Sequence, residues 1–273
     1  MCSRRAVPVI SVGVNGAAGR MGRRLIALVG EADDLRLVCA VEHAGSPALG
    51  EDAGEHAGVG TSGVAVGEDF DPDLDVLIDF SSPEGTLAAL RFCLVHKKPI
   101  VIGTTGFSDG QRGEIDSAAH EIPCLTSPNM SVGVNLLFRL TAEVARALGP
   151  EYDVEIVETH HRFKKDAPSG TALRLAEGVA GARGQVLSEV AVFGRQGHPG
   201  ERGRGEIGIH AVRAGDVVGE HVVIFSSLGE RVELVHRAHT RDCFARGALA
   251  AARFLVGRRA GAYTMADVLE GVG

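Results

Sequence analysis

The sequence predicts an α/β protein with two domains: a parallel-sheet domain, and a second α+β domain with a mixed sheet. In the first half, short continuous apolar runs alternate with helical patterns, as in a parallel sheet covered on both faces. Between Ser188 and His239, strand-like runs follow one another with no helix between them, which points to a mixed or antiparallel sheet. Length agrees, because 273 residues exceed one average domain and bury a full core without staples.

The elements follow in order. Strands are expected at Val7–Val14, Leu35–Val41, Asp75–Phe80, Pro99–Ile102 and Pro123–Thr126. Helices are expected between them: Met21–Val29, with Leu25, Ile26, Leu28 and Val29 at helical spacing; Pro83–His96, with Pro near its start; and Ser108–His120. Ala44–Gly63 is rich in Gly, Ala and acid and reads as a loop with one helical turn. The texture changes near Asn129. A long helix is expected at Val134–Leu148, a strand at Tyr152–Thr159 and a helix at Gly170–Val179. Strands follow at Glu189–Phe193, Glu206–Val212, Val217–Phe225 and Arg231–His236. An Ala-rich helix, Phe244–Val256, and a short one, Thr264–Leu269, return to the first domain. The expected domains are therefore 1–129 with 241–273, and 130–240.

Composition excludes several classes. Hydrophobic residues at 45% and charged residues at 23% are ordinary globular usage, against disorder and coiled coil. The 37 glycines have no three-residue period, against collagen. Trp is absent and aromatics are 4%, against stacking platforms for single-stranded nucleic acid. A net charge of −7 favours neither nucleic acid nor an anionic membrane as partner. No apolar stretch approaches membrane-spanning length, and Met1-Cys2-Ser3-Arg4-Arg5 is basic but lacks the apolar run of a signal peptide. Cys2, Cys39, Cys93, Cys124 and Cys243 are scattered with no CxxC pair, against a disulfide framework or zinc ribbon. A cytoplasmic protein is expected.

Val12-Gly13-Val14-Asn15-Gly16-Ala17-Ala18-Gly19-Arg20-Met21-Gly22 follows a strand and opens a helix, with Gly13, Gly16 and Gly19 at GxxGxxG spacing. Side chains there would block close approach of backbone to a pyrophosphate, and a helix N-terminus offers unpaired N–H groups and a positive dipole end. Glu42 ends the second strand, where an acid accepts both ribose hydroxyls of an adenosine. Strand, helix and acid together favour dinucleotide binding, in a Rossmann-type domain, over a merely tight turn. His43 follows Glu42 where an Arg would hold a 2′-phosphate, so NADH is favoured and NADPH stays open. Arg20 either reaches a phosphate or is a solvated first-turn residue. Other strand ends carry Ser81-Ser82, Gly103-Thr104-Thr105-Gly106 and Ser127-Pro128-Asn129, where an open parallel sheet binds its ligand.

Glu155 to Thr171 is the densest polar stretch. A strand runs out into His160, His161, Arg162, Lys164 and Lys165, then a turn, then a helix with Ser169 as N-cap and Gly170 and Thr171 in its first turn. A helix N-terminus beside His and Lys suits a small anion, most naturally a carboxylate, and His transfers protons near neutral pH. His160 and His161 are adjacent and point apart, so they do not share a metal. His236, His239 and Cys243 show ligand-like spacing, but strand alternation separates residues three apart and no fourth ligand is evident, so no metal is expected. Gly-x-Ser-x-Gly is absent, and Cys124 has no local base.

These residues resemble the 4-hydroxy-tetrahydrodipicolinate reductase family, long called dihydrodipicolinate reductase, of bacterial lysine and diaminopimelate synthesis. The resemblance runs through Val14 to Gly22, Asp79 to Thr86, Gly103 to Phe107, Ser127 to Asn135 and Arg213 to His221. Its most specific part is Glu-Thr-His-His-Arg-Phe-Lys-Lys-Asp-Ala-Pro-Ser-Gly-Thr-Ala, residues 158 to 172. It implies reduction of 4-hydroxy-2,3,4,5-tetrahydrodipicolinate, a small dicarboxylate, to 2,3,4,5-tetrahydrodipicolinate with NAD(P)H. By resemblance Gly16, Ala17, Ala18, Gly19, Arg20 and Met21 cradle the dinucleotide phosphates and Glu42 the ribose. Gly103, Thr104 and Thr105, with Ser127, Pro128, Asn129 and Met130, line the nicotinamide side. His160 is the implied catalytic proton donor and acceptor, and Lys164 the second donor, holding a substrate carboxylate. His161, Ser169, Gly170 and Thr171 are the implied dicarboxylate site, and the second sheet the implied contact of a homotetramer. His43 departs from the Arg that many members carry. Two competing readings are another nicotinamide dehydrogenase, acting on an amino acid or aldehyde, and a nucleotide sensor without turnover.

Overall fold

Val76–Asp79, written Val-Leu-Ile-Asp, is buried along its whole length. Such a strand is stable only with apolar layers on both faces of its sheet. The computed structural model describes residues 8–271. The basic N-terminal stretch with Cys2, and Val7 of the first expected strand, lie outside the described residues.

In chain order the elements are β1 (Ile10–Asn15), α1 (Arg20–Gly30), β2 (Leu35–Val41), α2 (Ala53–Ala57), β3 (Val66–Gly67), β4 (Val76–Asp79), α3 (Pro83–His96), β5 (Ile100–Ile102), α4 (Asp109–Ala118) and β6 (Pro123–Thr126). Then come α5 (Val132–Leu148), β7 (Asp153–His160), α6 (Gly170–Ala182), α7 (Leu187–Val190), β8 (Ala191–Val192), β9 (Ile207–Arg213), β10 (Gly219–Ser227) and β11 (Glu230–Ala238). The chain closes with α8 (Asp242–Leu255), β12 (Gly261–Tyr263) and α9 (Met265–Glu270). It divides into two compact units, one running to Val132 and resuming at Asp242, the other Gly133–Arg241.

The first unit holds a seven-stranded sheet ordered β12-β6-β5-β4-β1-β2-β3, with every pairing parallel. Alternation along β4 sends Val76 and Ile78 into a core shared with Leu25 and Leu28 of α1 and Ala248 and Leu249 of α8. Leu77 faces the opposite core, with Leu87 and Leu90 of α3 and Ile115 of α4. Helices on both faces explain the continuous apolar strands. The strand order reverses between β1 and β4, and at such a switch point the two connections leave in opposite directions and open a crevice.

The second unit holds a five-stranded mixed sheet ordered β11-β10-β7-β9-β8. β7 pairs antiparallel with β10 and parallel with β9. Val154 and Ile156 of β7, Val223 and Phe225 of β10 and Leu175 and Val179 of α6 form its core. The fold class read from the sequence is thus the observed one. Three details differ. The strand expected at Glu189–Phe193 is one helical turn, α7, followed by a two-residue strand. Leu187, Val190 and Ala191 all pack on the second core, a helical spacing rather than an alternating one. The short edge strands β3 and β12 were not expected, because two or three residues are too few to show a period.

Candidate active site

At the switch point, β1 ends in Asn15 and the chain turns through Gly16. Gly16 has φ +79°, and a Cβ there would stand 2.4 Å from the Phe80 carbonyl oxygen. The Gly16 and Ala17 N–H groups donate to the Val41 carbonyl at 2.9 and 3.0 Å, tying the turn to the end of β2. Gly19 is the N-cap of α1 and supplies no side-chain cap, and the first turn carries no acid. The start of α1 is therefore open to an anion. A Cβ on Gly22 would lie 2.1 Å from the Gly16 carbonyl oxygen. The working trio is thus Gly16, Gly19 and Gly22, whereas Gly13 lies inside the strand against Leu74 and Leu77.

Glu42 reaches back to the turn. Its carboxylate accepts from the Ala18 N–H at 3.0 Å and the His43 N–H at 3.2 Å. A cavity of about 400 Å³ opens here, lined among others by Gly16, Gly19, Glu42, His43, Glu68 and Ser81. An open glycine turn, an uncapped helix and an acid at the next strand end fit a dinucleotide. Arg20 is exposed, and Ala17 is buried in the core, so Ala17 offers only backbone.

One carboxylate organises this mouth. Asp79 is fully buried at the end of β4. Its Oδ1 accepts from Asn15 Nδ2 and Ser81 Oγ, both at 2.6 Å, and its Oδ2 from Thr86 Oγ1 at 2.5 Å and Thr104 Oγ1 at 2.7 Å. Burial raises its pKa, and these hydrogen bonds oppose the rise. Thr104 Oγ1 also accepts the Ser81 N–H at 3.0 Å, so this hydroxyl is already committed. Gly103 lies against Phe80, whose ring would be 2.2 Å from a Cβ there. Thr105 and Pro128, with Thr104, line a second cavity of about 270 Å³. Ser127 Oγ donates to the Asn129 carbonyl at 2.8 Å, and Met130 is a core side chain.

The second unit carries the imidazole site. Residues two apart on a strand share a face, so Glu158 and His160 of β7 meet. Nδ1 of His160 lies 2.5 Å from the Glu158 carboxylate, which is buried. Arg213 donates to both Glu158 oxygens at 2.9 Å, and the Ser169 N–H donates at 3.0 Å. Burial would raise the Glu158 pKa, but Arg213, His160 and Ser169 outweigh it and hold the carboxyl below its usual range. Burial draws the His160 pKa down, against the upward pull of Glu158. A Cβ on Gly219 would stand 3.0 Å from His160 Nε2, so any other residue there would press on the ring. His221 of β10 lies edge-on to His160, centroids 5.3 Å apart, and its Nε2 is 3.2 Å from Ser169 Oγ. Burial pushes the His221 pKa down to about 3.

Ser169 is the N-cap of α6, its Oγ accepting from the Ala172 N–H at 3.2 Å, and the first turn, with Gly170 and Thr171, holds no acid. Lys164 is paired with Asp166 at 2.8 Å. His161 is half-buried, and its ring lies 6.2 Å from that of Phe163. His236 lies on β11 opposite His221, whereas Cys243 lies on α8. Among the described residues no group of three His, Cys, Asp or Glu is placed to hold a metal ion. Sequence reasoning assigned no role to Asn15, Asp79, Glu158, Arg213, Gly219 or His221. The Glu-x-His spacing on one strand was the signal available for Glu158.

Residues 10–130 match the family model described as dihydrodipicolinate reductase, N-terminus, and residues 133–269 match dihydrodipicolinate reductase, C-terminus. The chain belongs to this family. The dihydrodipicolinate reductase resemblance read from the motifs is thereby borne out. A curated 4-hydroxy-tetrahydrodipicolinate reductase from a Geobacter species is 50% identical over 264 residues, 96% of this chain and 99% of that one. Its counterpart from Syntrophotalea carbinolica is 53% identical over 264 residues, again 96% and 99%. Among solved structures, a dipicolinate-bound dihydrodipicolinate reductase from a Paenisporosarcina species superposes with TM-score 0.73 at 26% identity, covering 94% of this chain and 97% of that one. A myo-inositol dehydrogenase from Corynebacterium glutamicum, TM-score 0.54 and 13% identical over 93% of this chain and 90% of that one, shares the fold alone.

Proposed function

We propose that this chain reduces 4-hydroxy-2,3,4,5-tetrahydrodipicolinate to 2,3,4,5-tetrahydrodipicolinate with NAD(P)H, in lysine and diaminopimelate synthesis. The observation that carries the reading is the imidazole of His160, held by a buried carboxylate beside the Ser169-capped start of α6, whose first turn holds no acid. It stands in a chain half identical to curated reductases of that substrate.

Loss of water from the substrate leaves a conjugated imine, and reduction then adds one hydride and one proton. The nicotinamide supplies the hydride when bound. Gly16, Ala17, Ala18, Gly19, Arg20 and Met21 hold the phosphates, and Glu42 the ribose hydroxyls. Gly103, Thr104, Thr105, Ser127, Pro128, Asn129 and Met130 take the nicotinamide side, Thr104 and Met130 mainly through backbone. His161, Gly170 and Thr171 take the two carboxylates beside Ser169, whose N–H and Oγ are engaged by Glu158, Ala172 and His221, and Lys164 exchanges Asp166 for one of them. His160 passes the proton through Nε2, since Nδ1 is committed to Glu158. NADH is favoured over NADPH, because Glu42 and Glu68 both line the cavity and a 2′-phosphate would meet two acids there.

The first unit is the dinucleotide domain, and the second is the substrate and oligomerisation domain. The sheet face of the second unit away from its helices carries Val157, Val212, Val222, Ile224 and Val235, none of them fully buried, which suits a homotetramer. Cys39, Cys93, Cys124 and Cys243 are thiols, which suits the cytoplasm. Among the described residues no helix is long and apolar enough to cross a membrane. The test is NADH and NADPH oxidation with substrate generated in place by a condensing enzyme. Substrate-dependent oxidation supports the reading. Cofactor binding without turnover leaves a sensor, and turnover only with another amino acid or aldehyde leaves a different dehydrogenase.

A further inference from the structure

The Glu158 carboxylate serves three parts of the second unit at once. Oε2 takes the His160 ring, Oε1 takes the Ser169 N–H at the start of α6, and both oxygens take the Arg213 guanidinium. Arg213 goes on to donate to the Asp166 carbonyl at 2.6 Å, and the Ala214 N–H donates to the His160 carbonyl at 2.9 Å. The loop between β7 and α6 is therefore tied at both ends to one ion pair, of the buried Glu158 and the partly buried Arg213. A planar fork against a carboxylate allows one geometry, unlike a single ammonium contact.

We infer that Glu158 and Arg213 are positioning residues: they fix His160 and the first turn of α6 as one rigid frame, and they select Nε2 as the nitrogen that exchanges the proton. The inference rests on the proposed proton transfer by His160, although the frame itself is measurable without turnover. With Nδ1–H donated to Glu158, the neutral ring presents an Nε2 lone pair and the protonated ring an Nε2–H. Gly219, beneath Nε2, leaves the ring room to lie this way.

The groups facing His160 are Glu158 on its own strand, Lys164 from the following loop, Arg213 from β9 and His221 from β10. Glu158 favours the imidazolium, while Lys164 and Arg213 oppose it. The frame therefore makes predictions of opposite sign. In Glu158→Gln, the His160 titration followed by NMR should move down by about one unit or more. In Arg213→Gln it should move up, because the fork's positive charge is gone. In both, kcat should fall about 10–100-fold while the Kd for NADH stays within about twofold, and Glu158→Asp should recover part of kcat. The imidazole nitrogen signals should report an Nδ1–H tautomer in the wild type and a mixture in Glu158→Gln.

Arg213 is only partly buried, so its variant reports even if Glu158→Gln fails to fold. An unshifted His160 titration in a folded Arg213→Gln or Glu158→Gln protein overturns the frame, as does a shift of the same sign in both. A wild type that shows the tautomer and the shifts but turns over no tetrahydrodipicolinate precursor removes the proposed reaction and leaves the frame standing.

Discussion

Replacing Asp79 by Asn tests how the mouth at the glycine turn, the proposed nucleotide site, is built. The carboxylate accepts four hydrogen bonds, from Asn15, Ser81, Thr86 and Thr104. An amide keeps one oxygen and turns the other into a donor: on the Oδ1 side it would meet the Asn15 amide, itself a donor, and on the Oδ2 side the Thr86 and Thr104 hydroxyls, which lose their charged acceptor and must turn to accept instead. Each hydrogen bond to a charged group contributes about 1.5–3 kcal/mol, so two lost bonds amount to roughly 3–6 kcal/mol. Part returns, because burial disfavours the ionised carboxyl and the amide is neutral. A net loss of about 2–4 kcal/mol in urea unfolding is expected. Asn15 and Ser81, whose N–H is held by Thr104, line the cavity beside the glycine turn, the proposed nucleotide site. The Kd for NADH should therefore rise about tenfold, a change of about 1.4 kcal/mol, by fluorescence titration. A variant as stable as wild type, with unchanged Kd, would refute the reasoning.

Three further outcomes are expected. Gly22→Ala must move α1 or the glycine turn, since the new Cβ would meet the Gly16 carbonyl oxygen at 2.1 Å; it should cost about 1–3 kcal/mol and weaken NADH binding in the same titration. His221 has a folded pKa of about 3 against an ordinary 6.5, so on acidification the unfolded chain takes up the proton first and stability falls from pH 6.5 towards 3. By pH 5 this residue should contribute a loss of about 2 kcal/mol, absent in His221→Gln, as read from denaturation at the two pH values. His43→Arg should raise kcat/KM with NADPH relative to NADH by about tenfold, and an unchanged ratio would remove His43 from cofactor choice.

Much of the fold was legible because burial on both faces leaves a plain mark. Val-Leu-Ile at 76–78 and Ile-Val-Ile at 100–102 could be nothing but central strands between Pro- and Ser-started helices. Pro83 to His96 and Leu35 to Val41 fell within the expected bounds. The short edge strands and the helical turn at Leu187–Val190 escaped, since too few residues carry a period. At the site, residue types whose chemistry is local were visible: the glycine turn, Glu42, His160 and the capped start of α6. Partners that lie far apart in the chain were not. Arg213 reaches Glu158 across 55 positions and Thr104 reaches Asp79 across 25, contacts made by strand pairing and not by spacing. The third glycine also moved, because the close approach of α1 to its turn falls at Gly22 and not at Gly13.

The central claim is that His160 and Lys164 serve the reaction and not the cofactor. The most direct measurement is the comparison of kcat with the Kd for NADH in His160→Ala and Lys164→Ala, using substrate generated in place. The account predicts that kcat collapses by about 100-fold or more in each while Kd stays within about twofold. Turnover near the wild-type rate in either folded variant, or an equal loss of cofactor affinity and kcat, would contradict it.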